Sequence, residues 1–186
     1  AALSTLHRDV YDALGVRGVL IEWVVDRPDL RLGFGDSVSY EGDADLVFTH
    51  PYCPLPKQLM GKPAIINTYG RESDRLEQWC GAKLHKISKW HNATNCVYAA
   101  NWDPPAIDLN HMMADAPGWF PIELTDTLLG AFLGRSAPKY RFGMTVWDGF
   151  MGRGTVGKSC QRLGLDFVGI DWRRERVELA RAYLGC

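Results

Sequence analysis

The sequence predicts an α/β protein with a doubly wound, mostly parallel sheet. Short apolar runs that end in turn residues alternate along the chain with segments of helical periodicity. The last part of the chain has a complete βαβα order, with apolar runs at 143–150 and 165–171 and helical segments at 154–164 and 173–185. Because parallel neighbours need a crossover helix, this order is typical of a parallel sheet with helices on its faces.

The earlier elements follow the same alternation. Helical periodicity at 4–15 ends at Gly15. Strands are predicted from the apolar runs that follow, at 18–25, 30–36, 43–52, 62–70 and 95–102. Residues 101–119 are rich in Pro, Asp and Asn, which predicts a loop, and helical spacing returns at 121–134. One domain over 1–186 accounts for all of these elements.

Composition limits the classes of function. The chain has 186 residues, of which 46% are hydrophobic and 23% charged, as in a soluble globular domain with a full core. A formal net charge of −1 gives no overall attraction to nucleic acid or membrane. No apolar run is long enough to span a bilayer and no leader pattern is present, so we expect a cytoplasmic protein. The five cysteines lie apart, without C-x-x-C or zinc spacing, which predicts reduced thiols and no metal site.

The stretch V-W-D-G-F-M-G-R-G-T-V-G-K-S-C, residues 146–160, satisfies two glycine patterns. The phosphate-binding pattern G-x-x-x-x-G-K-[ST] is met by Gly152, Gly157, Lys158 and Ser159. The nucleoside-cofactor pattern D-x-x-x-G-x-G is met by Asp148, Gly152 and Gly154. The residues that follow the turn help to decide between these two patterns.

A nucleoside-cofactor unit needs an acid about 20 residues after the glycines, at the end of the second strand, to bind the ribose hydroxyls. Asp171 stands at close to that distance from Gly154. A P-loop needs a magnesium-binding acid on another strand, and only an upstream residue such as Asp45 offers one. The spacing favours the cofactor turn, while a P-loop nucleotide-binding protein and a glycine turn without a ligand remain alternatives.

Residues 148–171 resemble the cofactor motif of the amino-group (N6-adenine/N4-cytosine) DNA methyltransferases, typically D-P-F-x-G-S-G-T-T followed by a strand that ends G-I-E. Gly149 and Arg153 depart from that motif. In one permuted class of this family, a D-P-P-Y or S-P-P-[YF] catalytic motif precedes the cofactor motif, and T-H-P-Y at 49–52 has that order. The resemblance covers roughly residues 30 to 184. It implies a Rossmann-like methyltransferase fold that binds S-adenosylmethionine, with the cofactor βαβ unit at the C-terminus.

The resemblance divides the domain into a catalytic half, 1–110, and a cofactor-binding half, 111–186. Asp171 would bind the ribose, Asp36 would contact the adenine, and Trp172 would cover the adenine face. Gly152 and Gly154 would admit the methionine moiety. The full set implied for the cofactor is Asp36, Phe120, Pro121, Asp148, Phe150, Gly152, Gly154, Thr155, Asp171 and Trp172.

The catalytic loop implied by the resemblance is Thr49, His50, Pro51 and Tyr52. A base flipped out of the duplex would stack on Tyr52, and the Thr49 hydroxyl would accept a hydrogen bond from the exocyclic amine. His50 replaces a proline that rigidifies the family loop. Restoring Asp-Pro at 49–50 is therefore expected to preserve or raise activity. A rigid strand-exit loop without a catalytic role is the alternative.

A second D-P-P sequence, Asp103-Pro104-Pro105, follows another apolar run. Ala106 stands where the base-stacking aromatic residue of the catalytic motif is needed. We therefore interpret this segment as a loop.

Recognition of nucleic acid has the weakest signal. No target-recognition insertion is present between the predicted strands, and a basic stretch from Lys57 to Lys89 could contact phosphates or be an ordinary solvated face. The contacts expected there are Lys57, Lys62, Arg71, Lys86 and Lys89. DNA is the expected substrate, with RNA as the alternative, and a homodimer or a separate recognition subunit would supply selectivity.

The function predicted from the sequence is therefore methyl transfer from S-adenosylmethionine to an exocyclic amine of a DNA base, with adenine N6 favoured over cytosine N4. The alternative is a catalytically inactive methyltransferase-like protein that serves as a cofactor- or nucleic-acid-binding partner subunit.

Overall fold

In the computed structural model, eight strands within the described residues form one sheet that is covered by helices and turns. The structure describes residues 15, 18–69, 73–92, 94–114, 120–136 and 143–186. The helix predicted at 4–15 lies outside the described residues, apart from Gly15. The strands are β1 (Glu22–Asp26), β2 (Leu30–Phe34), β3 (Leu46–Thr49), β4 (Ala64–Tyr69), β5 (His85–Trp90), β6 (Asn95–Ala100), β7 (Thr145–Asp148) and β8 (Asp166–Asp171). The α-helices of the described residues are α1 (Ser73–Cys80), α2 (Ile122–Ser136), α3 (Thr155–Leu163) and α4 (Arg174–Leu184).

The strand order is β1-β2-β8-β7-β3-β4-β6-β5. Strands β2, β8, β7, β3 and β4 are parallel, whereas β1 and β6 run antiparallel to their neighbours. This topology confirms the predicted α/β, mostly parallel, Rossmann-like fold. Strand β7 has β8 as its neighbour on one side and β3 on the other. Helix α3 connects β7 to β8. The carboxyl ends of β2, β8, β7 and β3 therefore meet at one edge, where ligands bind in open α/β sheets.

Each face of the sheet has its own hydrophobic core. On one face, α2, α3 and α4 pack on the sheet through a cluster that includes Leu128, Phe132, Val156 and Val177. On the other face, Leu59, Leu76 and Cys80 pack against strand residues such as Val47, Ile66 and Trp147. The two cores hold the central strands rigidly, which fixes the positions of the side chains at the strand ends.

The sequence analysis missed α1, the short helix on the second face. Leu76 and Cys80 are each 2% exposed and lie four residues apart, so one side of α1 faces the core. Its other residues are mainly polar, and the apolar pattern is too short to be recognised by periodicity alone. Among the described residues, none of the helices has the length and apolar character that a bilayer crossing requires.

Candidate cofactor and catalytic site

Four polar side chains stand where neighbouring parallel strands end. Asp148 and Asp171 are the last residues of β7 and β8, Thr49 is the last residue of β3, and Asp36 follows β2. All four are at most 4% exposed. The sheet therefore gathers three acids and a hydroxyl from distant parts of the chain at one edge.

The glycine turn between β7 and α3 is held by the acid at the end of β8. Gly152 (φ 55°) and Gly154 (φ 84°) both adopt positive φ, which glycine tolerates without a steric cost. The backbone N–H of Gly152 donates to Oδ2 of Asp171 at 2.9 Å, and the N–H of Arg173 donates to Oδ1 at 3.0 Å. Each carboxylate oxygen has a second lone pair. Asp171 therefore fixes the turn and keeps further acceptor lone pairs.

Packing explains why Gly149 stands where the family motif has a proline. A Cβ atom at this position would overlap the ring of Trp147 and lie 2.9 Å from Cβ of Ser37. Trp147 is fully buried in the second core. The departure therefore accommodates the tryptophan that precedes Asp148.

Apart from Gly152, the residues of the phosphate-binding pattern lie away from the pocket over the glycine turn. Gly157, Lys158 and Ser159 all lie within α3. Nζ of Lys158 donates to the carbonyl oxygen of Tyr183 at 3.3 Å, and the buried hydroxyl of Ser159 lies 2.5 Å from Oγ1 of Thr125. Neither side chain lines the pocket over the turn. This arrangement favours the cofactor turn over a P-loop.

A hydrogen bond joins the predicted catalytic loop to the end of β7. Oγ1 of Thr49 donates to Oδ1 of Asp148 at 2.7 Å, and the N–H of Phe150 donates to the same oxygen at 3.0 Å. Burial raises the pKa of Asp148 to about 7, the two hydrogen bonds oppose that rise, and the charge of Asp171 adds to it. Burial likewise raises the pKa of Asp171 to about 6. The pKa values of both carboxyl groups at this edge therefore lie above their usual range.

Aromatic rings connect the catalytic loop to the glycine turn. The ring centroids of His50 and Tyr52 are 4.8 Å apart at 33°, and those of Tyr52 and Phe150 are 5.1 Å apart, edge to face. Phe150 also packs with Cys53 and Trp172 in a small buried cluster. Tyr52 remains half-buried, so one part of its ring stays accessible.

A pocket with about 30 Å³ of water-accessible volume lies above the glycine turn. It is lined by His50, Tyr52, Phe120, Phe150, Met151, Gly152, Arg153, Thr155 and Arg176. Six of these residues, namely His50, Tyr52, Phe120, Phe150, Gly152 and Thr155, were expected from the sequence. Pro51 is buried between two of them, and Pro121 begins α2 by accepting from the N–H groups of Leu124 and Thr125.

Sequence reasoning missed Met151 and Arg176, and it noted Arg153 only as a departure from the motif. Arg176 lies on the first turn of α4, a position that no motif marks. Its presence in the pocket depends on how α4 packs beside the glycine turn. No local sequence pattern predicts that packing.

The described lysines of the basic stretch do not form one patch with the pocket. Lys62 precedes β4 at the opposite edge of the sheet and pairs with Asp43 at 2.9 Å. Lys86 and Lys89 are exposed on the edge strand β5. Lys57 lies on a 3₁₀ turn after the catalytic loop, and Arg71 lies outside the described residues.

Asp103 and the two prolines after it follow β6. Because β6 runs antiparallel to β4, its carboxyl end lies at the edge opposite to the pocket. This position agrees with the loop interpretation of the segment.

The known proteins that this chain resembles are DNA methylases and DNA methyltransferases. The family model for N6/N4-type enzymes, described as DNA methylase, matches residues 48–182. No curated protein gives a significant match. Among solved structures, the M1.HpyAVI-SAM complex is 16% identical (TM-score 0.62) over 84% of this chain and 100% of that chain. A putative DNA modification methylase from Thermus thermophilus is 18% identical (TM-score 0.57), over 87% and 94% of the two chains.

The cytosine-N4-specific PvuII DNA methyltransferase is 13% identical (TM-score 0.58), over 86% of this chain and 89% of that chain. At these identities the solved structures show a shared fold.

Proposed function

Because the chain belongs to the DNA methylase family, we propose that it transfers a methyl group from S-adenosylmethionine to an exocyclic amino group of a DNA base. The observation that carries the proposal is the convergence at one sheet edge of the glycine turn, Asp171 and the pocket lined by His50 and Tyr52. The acid that we assign to the ribose and the ring that we assign to the base would then lie on adjoining segments. S-adenosylmethionine, when bound, supplies an electrophilic methyl group on its sulfonium.

The residues at the edge suit this cofactor. Asp171 offers acceptor lone pairs for a ribose diol, and Gly152 lets a ligand approach the backbone closely. Phe150, which lines the pocket and packs with Trp172, would offer an aromatic ring to an adenine. Asp36 caps the 3₁₀ turn after β2 by accepting from the N–H of Val38, which fixes its carboxylate near the same edge. These contacts support the cofactor assignment.

Tyr52 is the residue that we assign to the target base. Its ring packs against His50 and meets the Phe150 ring in a T-shaped contact, so its orientation is set before a base arrives. A base that stacks on Tyr52 would present its amine above the glycine turn. His50 thus takes over, by ring packing, the stiffening that a proline gives the family loop.

DNA is the substrate class that follows from the family, and we propose low sequence selectivity for the isolated chain. Only residues 91–94 separate β5 from β6, which leaves no recognition insertion between these strands. The exposed Lys86 and Lys89 on β5 can contact phosphates, which supports affinity without sequence readout. A second copy or a separate subunit would then supply selectivity.

The experiment is transfer of a labelled methyl group from S-adenosylmethionine to unmodified DNA, followed by analysis of the product nucleosides. We expect N6-methyladenine, which the sequence interpretation favours, and N4-methylcytosine is the alternative product. Asp103→Ala, at the opposite edge, serves as a control that leaves transfer unchanged. Cofactor binding without transfer to any DNA or RNA would contradict the proposal and favour a cofactor-binding partner subunit.

A further inference from the structure

A β-bulge in the edge strand β5 places two lysines on the same face of the sheet. Between Lys86 and Ser88 the strand gains one residue relative to β6, so Ile87 has no counterpart there. Side chains alternate between the two faces along a regular strand, so residues three apart would point to opposite faces. The extra residue reverses this alternation. Lys86 and Lys89 therefore lie on one face.

The same face carries an aromatic hydroxyl and no acid from these two strands. Tyr98 pairs with Lys86 and Cys96 pairs with Lys89, so the side chains of each pair share a face. Both lysines are exposed and Tyr98 is half-buried. Neither β5 nor β6 contains an Asp or Glu. We call the set formed by Lys86, Lys89 and Tyr98 the lysine face.

The positive charge of the lysine face is not compensated within the protein. Among the described residues, neither Lys86 nor Lys89 has a salt bridge. Lys83, by contrast, pairs with Glu77 at 3.0 Å. Two uncompensated ammonium groups on one side of an open strand create a local positive potential that attracts an anionic polymer.

The lysine face reaches the edge of the sheet that carries the pocket. Strands β4 and β5 are both antiparallel to β6, so they run in the same direction and Lys89 lies near that edge. Three strand spacings separate β5 from β3, which is roughly 14 Å. DNA advances about 3.4 Å per nucleotide along its axis, so a strand whose base stacks on Tyr52 would reach the lysine face about four nucleotides away.

We propose that Lys86, Lys89 and Tyr98 bind the sugar-phosphate backbone of DNA beside the target base, an inference that rests on the proposed function. The two ammonium groups neutralise phosphates, and such contacts hold a duplex in position without reading its sequence. The hydroxyl of Tyr98 is a further donor for a phosphate oxygen. Burial and the neighbouring Cys96 raise the pKa of Tyr98, so this hydroxyl keeps its proton at neutral pH.

The test measures the DNA affinity of the full chain at several salt concentrations. Fluorescence anisotropy with a labelled duplex of mixed sequence gives the Kd for Lys86→Gln, Lys89→Gln and the double variant. Each lost phosphate contact should make the plot of log K against log salt shallower by about 0.9, and should raise the Kd about five- to tenfold at about 0.1 M salt. Tyr98→Phe removes a neutral donor, so it should raise the Kd about threefold and leave the slope unchanged.

The chain offers two matched controls. Lys83→Gln makes the same change of charge at a lysine that pairs with Glu77, and it should bind DNA like the wild type. Exchanging two neighbours, His85→Lys with Lys86→His, keeps the composition and moves one lysine to the opposite face, where His85 pairs with Ala99. At about pH 8, where histidine is neutral, the exchanged protein should lose as much affinity as Lys86→Gln.

Separate results would overturn the inference. Lysines on an open edge strand also prevent edge-to-edge association. Lysine variants that self-associate in size-exclusion chromatography, yet bind DNA with wild-type affinity and salt slope, would assign Lys86 and Lys89 to that role. Wild-type affinity in the exchanged protein would show that charge acts without regard to the face, and would also contradict the proposal.

Failure of this proposal is distinguishable from failure of the proposed function. Wild-type protein that neither binds nor methylates DNA would contradict the proposed function itself. Wild-type protein that does both, with a double lysine variant that binds equally well, would contradict only the lysine face.

Discussion

The hydroxyl of Thr49 donates to Oδ1 of Asp148 at 2.7 Å, and neither side chain is more than 1% exposed. The bond ties the last residue of β3 to the last residue of β7, so the predicted catalytic loop and the glycine turn are held as one unit. The Thr49 proton is directed toward Asp148, which leaves only the oxygen lone pairs for an amine. Thr49 is fully buried, so these lone pairs are closed off from solvent.

Thr49→Val should lower both stability and turnover. The substitution keeps the shape and removes one hydrogen bond to a buried carboxyl group, at a cost of about 1–3 kcal/mol in the free energy of unfolding. Thr49→Ser keeps the hydroxyl and is the control. Urea denaturation and the methyl-transfer rate measure the two effects. A valine variant as stable and as active as the serine variant would show that the bond has no role.

Replacing Thr49-His50 by Asp-Pro should impair the protein, contrary to the expectation from the sequence. A carboxylate at position 49 would face Asp148 at hydrogen-bonding distance, where two negative charges cannot both be accommodated without solvent. We expect a loss of roughly 1–3 kcal/mol in unfolding free energy at pH 8, with partial recovery at pH 5, where one carboxyl group holds a proton. Chemical denaturation at both pH values measures this. Higher stability and higher activity at pH 8 would restore the original expectation.

Asp148→Asn should flatten the pH dependence of stability. The pKa of Asp148 is raised from 3.8 to about 7 in the folded protein, so the native state keeps a proton that the unfolded chain releases. The stability that this group contributes is therefore fully present below about pH 4 and is lost as the pH rises to about 7. Over this range the free energy of unfolding falls by no more than about 1.4 kcal/mol per pH unit.

Asparagine does not titrate, yet its carbonyl oxygen can accept from Thr49 and from the N–H of Phe150. Unfolding free energies at a series of pH values between about 4 and 8 should therefore fall less steeply for the variant. A residual slope is expected from Asp171, whose pKa is also raised. Parallel curves for the two proteins would mean that Asp148 is ionised throughout this range.

Tyr52→Ala should lower methyl transfer by about ten- to a hundredfold with little change in cofactor affinity. The base would lose a stacking surface worth about 1–3 kcal/mol. Tyr52→Phe keeps the ring and its contacts with His50 and Phe150, and should retain most of the activity. Single-turnover transfer rates and calorimetry separate the two quantities. Equal rates for the alanine and phenylalanine variants would remove Tyr52 from the base site.

Asp171→Ala should weaken binding of S-adenosylmethionine by about 1–3 kcal/mol through the loss of charge-assisted hydrogen bonds. Asp171→Asn keeps one acceptor oxygen and should bind with intermediate affinity. Calorimetry with S-adenosylmethionine and with ATP measures the effect and tests cofactor identity together. Tighter binding of ATP that requires magnesium and Lys158 would instead favour a phosphate-binding loop.

The cofactor turn could be predicted from the sequence because its parts are close in the chain. The glycines, α3, β8 and Asp171 form one continuous unit, and the local pattern specifies both its elements and the acid. The contact between Thr49 and Asp148 joins residues 99 positions apart. It depends on β3 and β7 being neighbours, which no local pattern specifies. Helix α1 and Arg176 were missed for the same reason, since tertiary packing decides their positions.

The place of β2 in the sheet has a consequence for how the protein is made. Leu30 at the start of β2 pairs with Phe167 at the start of β8, near opposite ends of the chain. During synthesis, β2 must therefore wait for almost the whole domain to emerge before it gains its parallel neighbour. Such long-range pairing slows folding and leaves strand edges open to association in the meantime. The edge of β2 that faces β8 therefore stays unpaired until residues 166–171 have been made.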